Sequence, residues 1–329
     1  MAYYSKFVGC GSYLPEKVLT NDDIAQLVDT SDEWITNRTG IKRRHIAAEG
    51  ELTSDLAREA AVRALDYAGV KASELDLIVV GTTTPDDTFP ATAVKLQAQL
   101  GLTNGAAFDL QAVCSGFIYA LSVVDAMIRA GQARTALVIG AETMSRIVDW
   151  EDRSTCVLFG DGAGAVVLRA ENGISESEPR RNLRRGIIST HIHSDGTLRD
   201  ILFCDGGTST TGQSGKIRMA GREVFRHAIN NLAAVVNEAL AANGLDPSDI
   251  DWLVPHQANK RILEGTRKKL GLDPKKVVLT IEDHANTSAA SIPLALDTAV
   301  RDGRIREGDL MLMEAMGGGL TWGAALARW

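Results

Sequence analysis

The sequence predicts an α/β fold built from two duplicated halves with pseudo-two-fold symmetry. Three observations predict it. Short apolar runs of strand length alternate with stretches whose apolar residues recur every three or four positions, the helical period. Residues 68–80 pass from a helix end through Gly69 into Leu77-Ile78-Val79-Val80. They are echoed by residues 243–255, which pass through Gly244 into Trp252-Leu253-Val254-Pro255, an offset of 243 − 68 = 175. Farther on, Arg129-Ala130-Gly131 and Arg301-Asp302-Gly303 each precede a strand, with an offset of 303 − 131 = 172. Repeated units of this kind imply parallel strands with helices on their faces. The repeat divides the chain into an N-terminal half, 1–172, and a C-terminal half, 173–329.

Each element follows in order. Residues 7–13 read as a first strand, closed by a turn at Pro15, and Asn21-Asp22-Asp23 caps a short helix through Val28. Thr30 or Ser31 caps the next helix, which has Asp32 and Glu33 in its first turn and sets Trp34 and Arg38 on one face. Residues 52–68 form a longer helix stopped by Gly69, 75–80 a mostly apolar strand and 92–100 another helix. Ala106, Ala107, Phe108 and Leu110 make a short strand, and Phe117, Leu121, Val124 and Ile128 one apolar helical face. Cys114 falls where that strand hands over to that helix. A strand is expected at 136–139, then strands at 155–159 and 165–168 around a turn at Gly160-Asp161-Gly162. The polar stretch 171–185, with Pro179 and two arginine pairs, reads as a surface loop or insertion. Strand 186–192, helix 224–242, strand 252–254, helix 261–270, strand 277–281, helix 289–300 and strands 310–315 and 321–327 complete the chain.

Composition narrows the function. Hydrophobic residues at 45% and charged residues at 23% are those of a soluble globular protein with ample core. A net charge of −7 argues against a nucleic-acid binder, though a local basic patch is compatible with it. Cys10, Cys114, Cys156 and Cys204 are scattered without metal-like pairing, so a reduced, cytoplasmic setting is the default. The N-terminus carries no signal-peptide pattern, and no run approaches the ~18 apolar residues of a membrane helix.

A helix N-terminus offers partial positive charge and free N–H groups, which favour thiolate at Cys114. The competing reading is a small hydrophobe in a buried turn. Cys114 lies 131 − 114 = 17 residues before its glycine, and Asn286 lies 303 − 286 = 17 before its own. The two are therefore expected at equivalent strand-to-helix junctions that can approach one another. His256, in Val254-Pro255-His256-Gln257-Ala258-Asn259, directly follows the repeated strand, at the end where α/β sheets place ligand chemistry. His191 and His193 share a strand face but lack a third ligand at metal spacing, so no metal site is expected. Met316-Gly317-Gly318-Gly319-Leu320 reads equally as a tight turn or as backbone approaching a ligand. Gly160-Asp161-Gly162-Ala163-Gly164-Ala165 is rejected as a dinucleotide loop because it leads into a strand and puts an aspartate where phosphate would sit.

Four motifs in order, Val113-Cys114-Ser115-Gly116-Phe117, Val254-Pro255-His256-Gln257-Ala258-Asn259, His284-Ala285-Asn286-Thr287-Ser288-Ala289-Ala290-Ser291 and Gly317-Gly318-Gly319, resemble the β-ketoacyl-[acyl-carrier-protein] synthase III family. The likeness runs from Gly9-Cys10-Gly11 to the C-terminus. It implies the thiolase-like five-layer αβαβα fold as a homodimer, with a Cys114–His256–Asn286 triad. It implies that acyl-CoA, typically acetyl-CoA, acylates Cys114. Malonyl-[acyl-carrier-protein] then loses CO2 and condenses to a 3-ketoacyl-carrier protein, starting fatty-acid synthesis. The Cys114 and Gly318 N–H groups would form the oxyanion hole. By the same likeness Trp34 and Arg153 flank the CoA adenine, Arg38 lies near its phosphates, and Thr30, Gly221, Phe225 and Asn259 line the pantetheine tunnel. Phe89 and Met316 would bound the acyl pocket. Arg226, Arg261, Lys268 and Lys269 would dock the acidic carrier protein. No cofactor is implied, CoA thioester being a substrate, and neither nucleic acid nor membrane is a partner. Two departures from the family pattern stand near the pocket: Ala285, where glycine is usual, and Met316, where phenylalanine is common.

Physically, neutral His and Asn supply two donors to one oxygen as decarboxylation builds enolate charge. A thiolase would need a second cysteine late in the chain, and the last is Cys204. Two other readings remain: a specialised ketosynthase of secondary metabolism, and, from a different class, a non-catalytic acyl-CoA or carrier-protein binding module. A cysteine hydrolase is a weaker one.

Overall fold

The computed structural model describes residues 2–174, 182 and 185–329. The first half begins with β1 (Ala2–Tyr13), β2 (Lys17–Thr20), α1 (Asn21–Ala25), α2 (Asp32–Thr39) and β3 (Arg43–Ile46). It continues through α3 (Thr53–Ala68), β4 (Leu77–Gly81), α4 (Thr92–Gln99), β5 (Ala106–Leu110) and α5 (Gly116–Arg129) to β6 (Thr135–Thr143), α6 (Arg153–Cys156) and β7 (Asp161–Ile174). The second half contains β8 (Gly186–Ser194), β9 (Leu202–Cys204), β10 (Ile217–Met219), α7 (Gly221–Asn243), β11 (Trp252–Pro255) and α8 (Lys260–Lys269). It ends with α9 (Ile281–His284), α10 (Ser291–Arg301), β12 (Leu310–Gly317) and β13 (Thr321–Arg328).

The duplication is visible in the sheets. One has the order β1-β7-β6-β4-β5 and the other, read from its opposite edge, β8-β13-β12-β11. In both, the last strands of the half pair antiparallel, while β4 runs parallel to β6 and β11 to β12. The strand β5 is reduced in the second sheet to one parallel bridge, Leu253 to Val277. Leu77 opens β4 and Trp252 opens β11, 252 − 77 = 175 apart; Thr135 and Leu310 open β6 and β12 at 310 − 135 = 175. Gly69 and Gly244 end α3 and α7 in the left-handed conformation, at φ 62° and 61°, which glycine adopts without steric cost.

Alternation along the strands builds three cores. Val79, Val138, Val254, Met311 and Met313 point between the sheets and meet Phe117, Leu121, Val124 and Ile128 of α5 and Ile292, Leu296 and Ala299 of α10. Ile78, Val80, Leu137 and Ile139 point the other way, onto Leu56, Ala57, Ala60, Ala61 and Ala64 of α3. Leu253, Leu310 and Leu312 face Ala233, Val236 and Leu240 of α7. The result is five layers, αβαβα, with α5 and α10 forming the middle one. Each fully buried Leu, Ile, Val or Phe contributes about 1.5–3 kcal/mol of transfer free energy.

Several expectations need correction. Residues 155–159 are not a strand: Asp152 caps Ser154 N at 2.9 Å and starts α6. Asp161 lies in β7, not in a turn, and its buried carboxylate accepts from Ala47 N, Ser145 N and Ser145 Oγ. Residues 277–281 do not form a strand, because Gln257 Oε1 takes the N–H groups of Thr280 and Ile281 that a ladder would need. Glu171 to Ile174, expected as the start of a loop, extend β7; of the remainder of that stretch, 175–181, 183 and 184 lie outside the described residues.

Candidate active site

Each central helix is entered through a single tight turn, Val113–Ser115 before α5 and Ser288–Ala290 before α10. Val113 (φ 49°) and Ser288 (φ 50°) both take positive φ, and 288 − 113 = 175 matches the repeat. The two junctions are thus equivalent and pack on one another. The residue pairing differs from the expected one. Cys114 corresponds to Ala289, and Asn286 stands three residues earlier. Counting back from the helix-end glycines misaligns them because α5 has 14 residues and α10 has 11. Both turns press on a strand of the other half. A Cβ on Gly317 would lie 2.6 Å from Cys114 N, and one on Gly140 2.1 Å from Ala289 O, so each position requires glycine.

Cys114, His256 and Asn286 line one cavity of about 630 Å³. All three are buried. Burial pushes the Cys114 thiol up to about 12, against a lowering contact with Ser288. At rest this residue is a thiol, so burial outweighs the helix-start effect expected to favour thiolate. Burial also holds His256 neutral, its imidazolium forming only near pH 3. His256 N donates to Glu314 O at 2.8 Å, and Nδ1 is buried without a partner, leaving Nε2 for the cavity. Asn286 Oδ1 accepts from Ser288 N at 2.9 Å, which fixes the amide so that Nδ2 remains as a donor. Its own backbone is held by Leu158 O and Gly160 N. Ala285, the residue before it, sits at φ 58° and ψ −160°, a region that suits glycine.

The cavity reaches outward past Met316, Gly221, Phe225, Asn259 and Arg261 to Trp34 and Arg38. Ser31, not Thr30, caps α2, through Trp34 N at 3.1 Å. The Arg38 and Arg153 guanidinium carbons lie 5.2 and 5.0 Å from the Trp34 ring centroid, and Arg153 also donates to Asp29 O. Thr30 and Arg153 are not among the cavity's lining residues. One wall, Val157 to Phe159, is tied in place by the buried Arg44, which donates to Val157 O and Asn21 Oδ1. Arg226 on α7 and Arg261, Lys268 and Lys269 on α8 are exposed on two packed helices, joined by Arg222 and Lys260, which the sequence did not single out.

A second pocket of about 70 Å³ opens beside Cys114 and Gly318, lined by Thr83, Ile147, Phe203, Cys204 and Ile217 among others. Neither Phe89 nor Met316 lines it: Met316 walls the larger cavity and Phe89 is 83% exposed. The five lining residues went unnoticed because they come from four separate stretches with no common motif. His191 and His193 have the acidic partner that sequence spacing did not supply. Glu238 of α7 accepts both, at 3.0 and 2.7 Å, and no group that could hold a metal occurs among the described residues. His284 is a further imidazole, half-buried, whose pKa is lowered to about 4 chiefly by desolvation, and it is not among the residues lining the cavity.

Two buried acids near the triad were also missed. Glu314 is raised to about 8 by burial. Glu142, at the end of β6, accepts from Thr83 N, Thr84 Oγ1 and Ser288 Oγ.

Residues 108–196 match the family described as 3-oxoacyl-[acyl-carrier-protein (ACP)] synthase III, and residues 240–329 its C-terminal family. A curated β-ketoacyl-[acyl-carrier-protein] synthase III of Rhodospirillum centenum is 67% identical over the full length of both chains. The crystal structure of 3-oxoacyl-[acyl-carrier-protein] synthase III from Aquifex aeolicus is 49% identical, with a TM-score of 0.91 over 99% of this chain and 100% of that one. A priming β-ketosynthase of the R1128 polyketide pathway is 36% identical, with a TM-score of 0.91 over 99% and 97%. With full-length identity at this level and the triad assembled on one cavity, the chain belongs to the 3-oxoacyl-[acyl-carrier-protein] synthase III family.

Proposed function

We propose that the chain condenses a short acyl-CoA with malonyl-[acyl-carrier-protein], releasing CoA and CO2 and starting fatty-acid synthesis. The observation that carries this is the meeting of Cys114, His256 and Asn286 on one cavity. The Cys114 sulfur takes the acyl group from CoA, with the Cys114 and Gly318 N–H groups receiving the developing oxyanion. Malonyl thioester then replaces CoA. Its C–CO2 bond breaks, and the electron pair is held as enolate by His256 Nε2–H and Asn286 Nδ2–H. The carbanion attacks the acyl carbon, the C–S bond to Cys114 breaks, and the 3-ketoacyl thioester leaves on the carrier. In this scheme the side chains, backbone N–H groups and the two thioesters supply every step, and no resident cofactor enters it.

The pocket beside Cys114, about 70 Å³ against about 630 Å³ for the main cavity, supports a short acyl group. Trp34, Arg38 and Arg153 receive the adenine and phosphates. An adenine entering between Trp34 and Arg153 would replace their present stacking contact. Arg226, Arg261, Lys268 and Lys269 dock the acidic carrier. The exposed Phe89 is explained by a partner subunit covering it, so the working form is a homodimer. It acts in the cytoplasm; no described helix is long and apolar enough to cross a membrane.

Incubation with acetyl-CoA should place one acetyl group on Cys114, read by peptide mass spectrometry, and malonyl-carrier protein should discharge it with CO2 release. No acyl mass with any short acyl-CoA would overturn the proposal, and discharge to free acid would favour a hydrolase. A priming role in secondary metabolism is favoured instead if only a polyketide carrier protein discharges the enzyme.

A further inference from the structure

Glu142 is a buried carboxylate that the reaction above does not use. Its setting is unusual for a structural acid: among the described residues, no cation hydrogen-bonds to it or pairs with it. Thr82 Oγ1 donates to it at 3.3 Å, Thr83 N at 3.1 Å, Thr84 Oγ1 at 2.6 Å and Ser288 Oγ at 2.9 Å, and Ala289 N adds a fifth donor. A cradle of donors alone suits the ionised form. Among these, Ser288 is a node. Its N–H orients Asn286, its hydroxyl donates to Glu142, and its turn packs on the turn that carries Cys114, whose thiolate it favours. Ser288 therefore links the junction that carries the thiol to the carboxylate, at 2.9 Å from Glu142. Beyond Cys114, which lines the cavity, Ser288 and Glu142 are shielded from water by burial.

We infer that Glu142 holds the Cys114 proton, passed through Ser288, while Cys114 carries the acyl group. The inference rests on the acyl-Cys114 reading. In the first half-reaction the Cys114 S–H bond breaks as sulfur attacks the acyl-CoA carbonyl. That proton goes to Ser288 Oγ as the Ser288 hydroxyl proton goes to Glu142, which becomes neutral. CoA leaves as thiolate and takes its proton from solvent. In the second half-reaction CO2 departs, the new C–C bond forms and Cys114 leaves as thiolate. Glu142 then returns its proton through Ser288, restoring thiol and carboxylate. One solvent proton is consumed per turnover, by CoA, and none is lost from the site.

The thiol needs such an acceptor. It rests far above neutral pH, and the neutral His256 is committed to donating from Nε2. Burial raises Glu142 to about 7, where it can both accept and return a proton at physiological pH. The groups facing it are Thr82, Thr83 and Thr84 after β4, Ser288 and Ala289 at the α10 junction, and Cys114, and of these only Cys114 titrates.

The test measures the two half-reactions separately on the full chain. Glu142→Gln keeps the shape and an acceptor oxygen but cannot take a proton. Acylation by acetyl-CoA should fall about 10²-fold, while malonyl decarboxylation by enzyme acylated to completion keeps the wild-type rate. Wild-type acylation should drop tenfold per pH unit below about 7 as Glu142 protonates, and that limb should vanish in the variant. Ser288→Ala, which leaves the carboxylate in place, should show the same selective loss. Acylation within threefold of wild type in both variants would overturn the inference, as would a slowed variant whose pH midpoint stays at 7. Absence of any acyl-Cys114 in the wild type would instead overturn the reading on which the inference rests.

Discussion

The two strand-to-helix junctions share a backbone and differ in what they carry. Each has a positive-φ residue, Val113 or Ser288, each opens a central helix, and each leans on a glycine of the opposite half. The first junction presents a thiol, and the strand end facing it is the bare turn Gly317-Gly318. The second presents Ala289, and the matching position on β6, 317 − 175 = 142, is the buried acid Glu142. Duplication thus supplied two equivalent geometries, of which, on the proposed mechanism, one seats the nucleophile and the other supports it. The lesson is that a copy without a thiol can still serve that mechanism, through Asn286, Ser288 and the Glu142 they adjoin.

Substitutions can blur or sharpen that contrast. The largest effect is expected from Cys114→Ala, which gives the first junction the residue the second already has. Acylation, followed by mass spectrometry, should fall more than about 10⁴-fold, and any residual acyl adduct elsewhere would remove the nucleophile's uniqueness. Next comes Asn286→Ala. Malonyl decarboxylation should fall about 10²–10³-fold with acylation much less affected; equal losses would contradict the assigned role. Gly317→Ala and Gly140→Ala crowd the first and second junctions respectively. Both should lower the urea-unfolding stability by about 1–3 kcal/mol. Gly317→Ala alone should also slow acylation, because it displaces Cys114 N itself. Ala285→Gly removes a side chain from a position that suits glycine, and should raise stability by about 1 kcal/mol. The smallest effect is a predicted absence of one. His256 protonates only near pH 3, so decarboxylation by preformed acyl-enzyme should stay flat from pH 8 to pH 5. A loss centred at the ordinary histidine value near 6.5 would show that burial does not hold His256 neutral.

Some local signals in the sequence were reliable. Gly69 and Gly244 announced two helix ends, the apolar period announced α5, and the placing of Cys114, His256 and Asn286 by motif was enough to find one cavity. What was illegible depends on contacts distant in sequence. Ser288 reaches Glu142 across 146 residues, and Glu238 reaches His193 across 45; no spacing rule reports either. Residues 155–159 misled because their β-branched and aromatic members look strand-like, while one aspartate cap decides the backbone. The offset of 17 residues pointed to the right junctions but the wrong partner, since it assumed helices of equal length.

The middle core has a consequence for synthesis of the protein. Its apolar side chains come from both halves, and α5 meets strands of the second sheet as well as the first. A ribosome releases the N-terminal half while β11, β12 and α10 are still untranslated, so Phe117 and Leu121 then lack part of their packing. The first half must wait, with a hydrophobic face open, for more than a hundred further residues. That interval is when the chain is exposed to aggregation and most in need of chaperones. A cut placed between the halves would make the interval permanent.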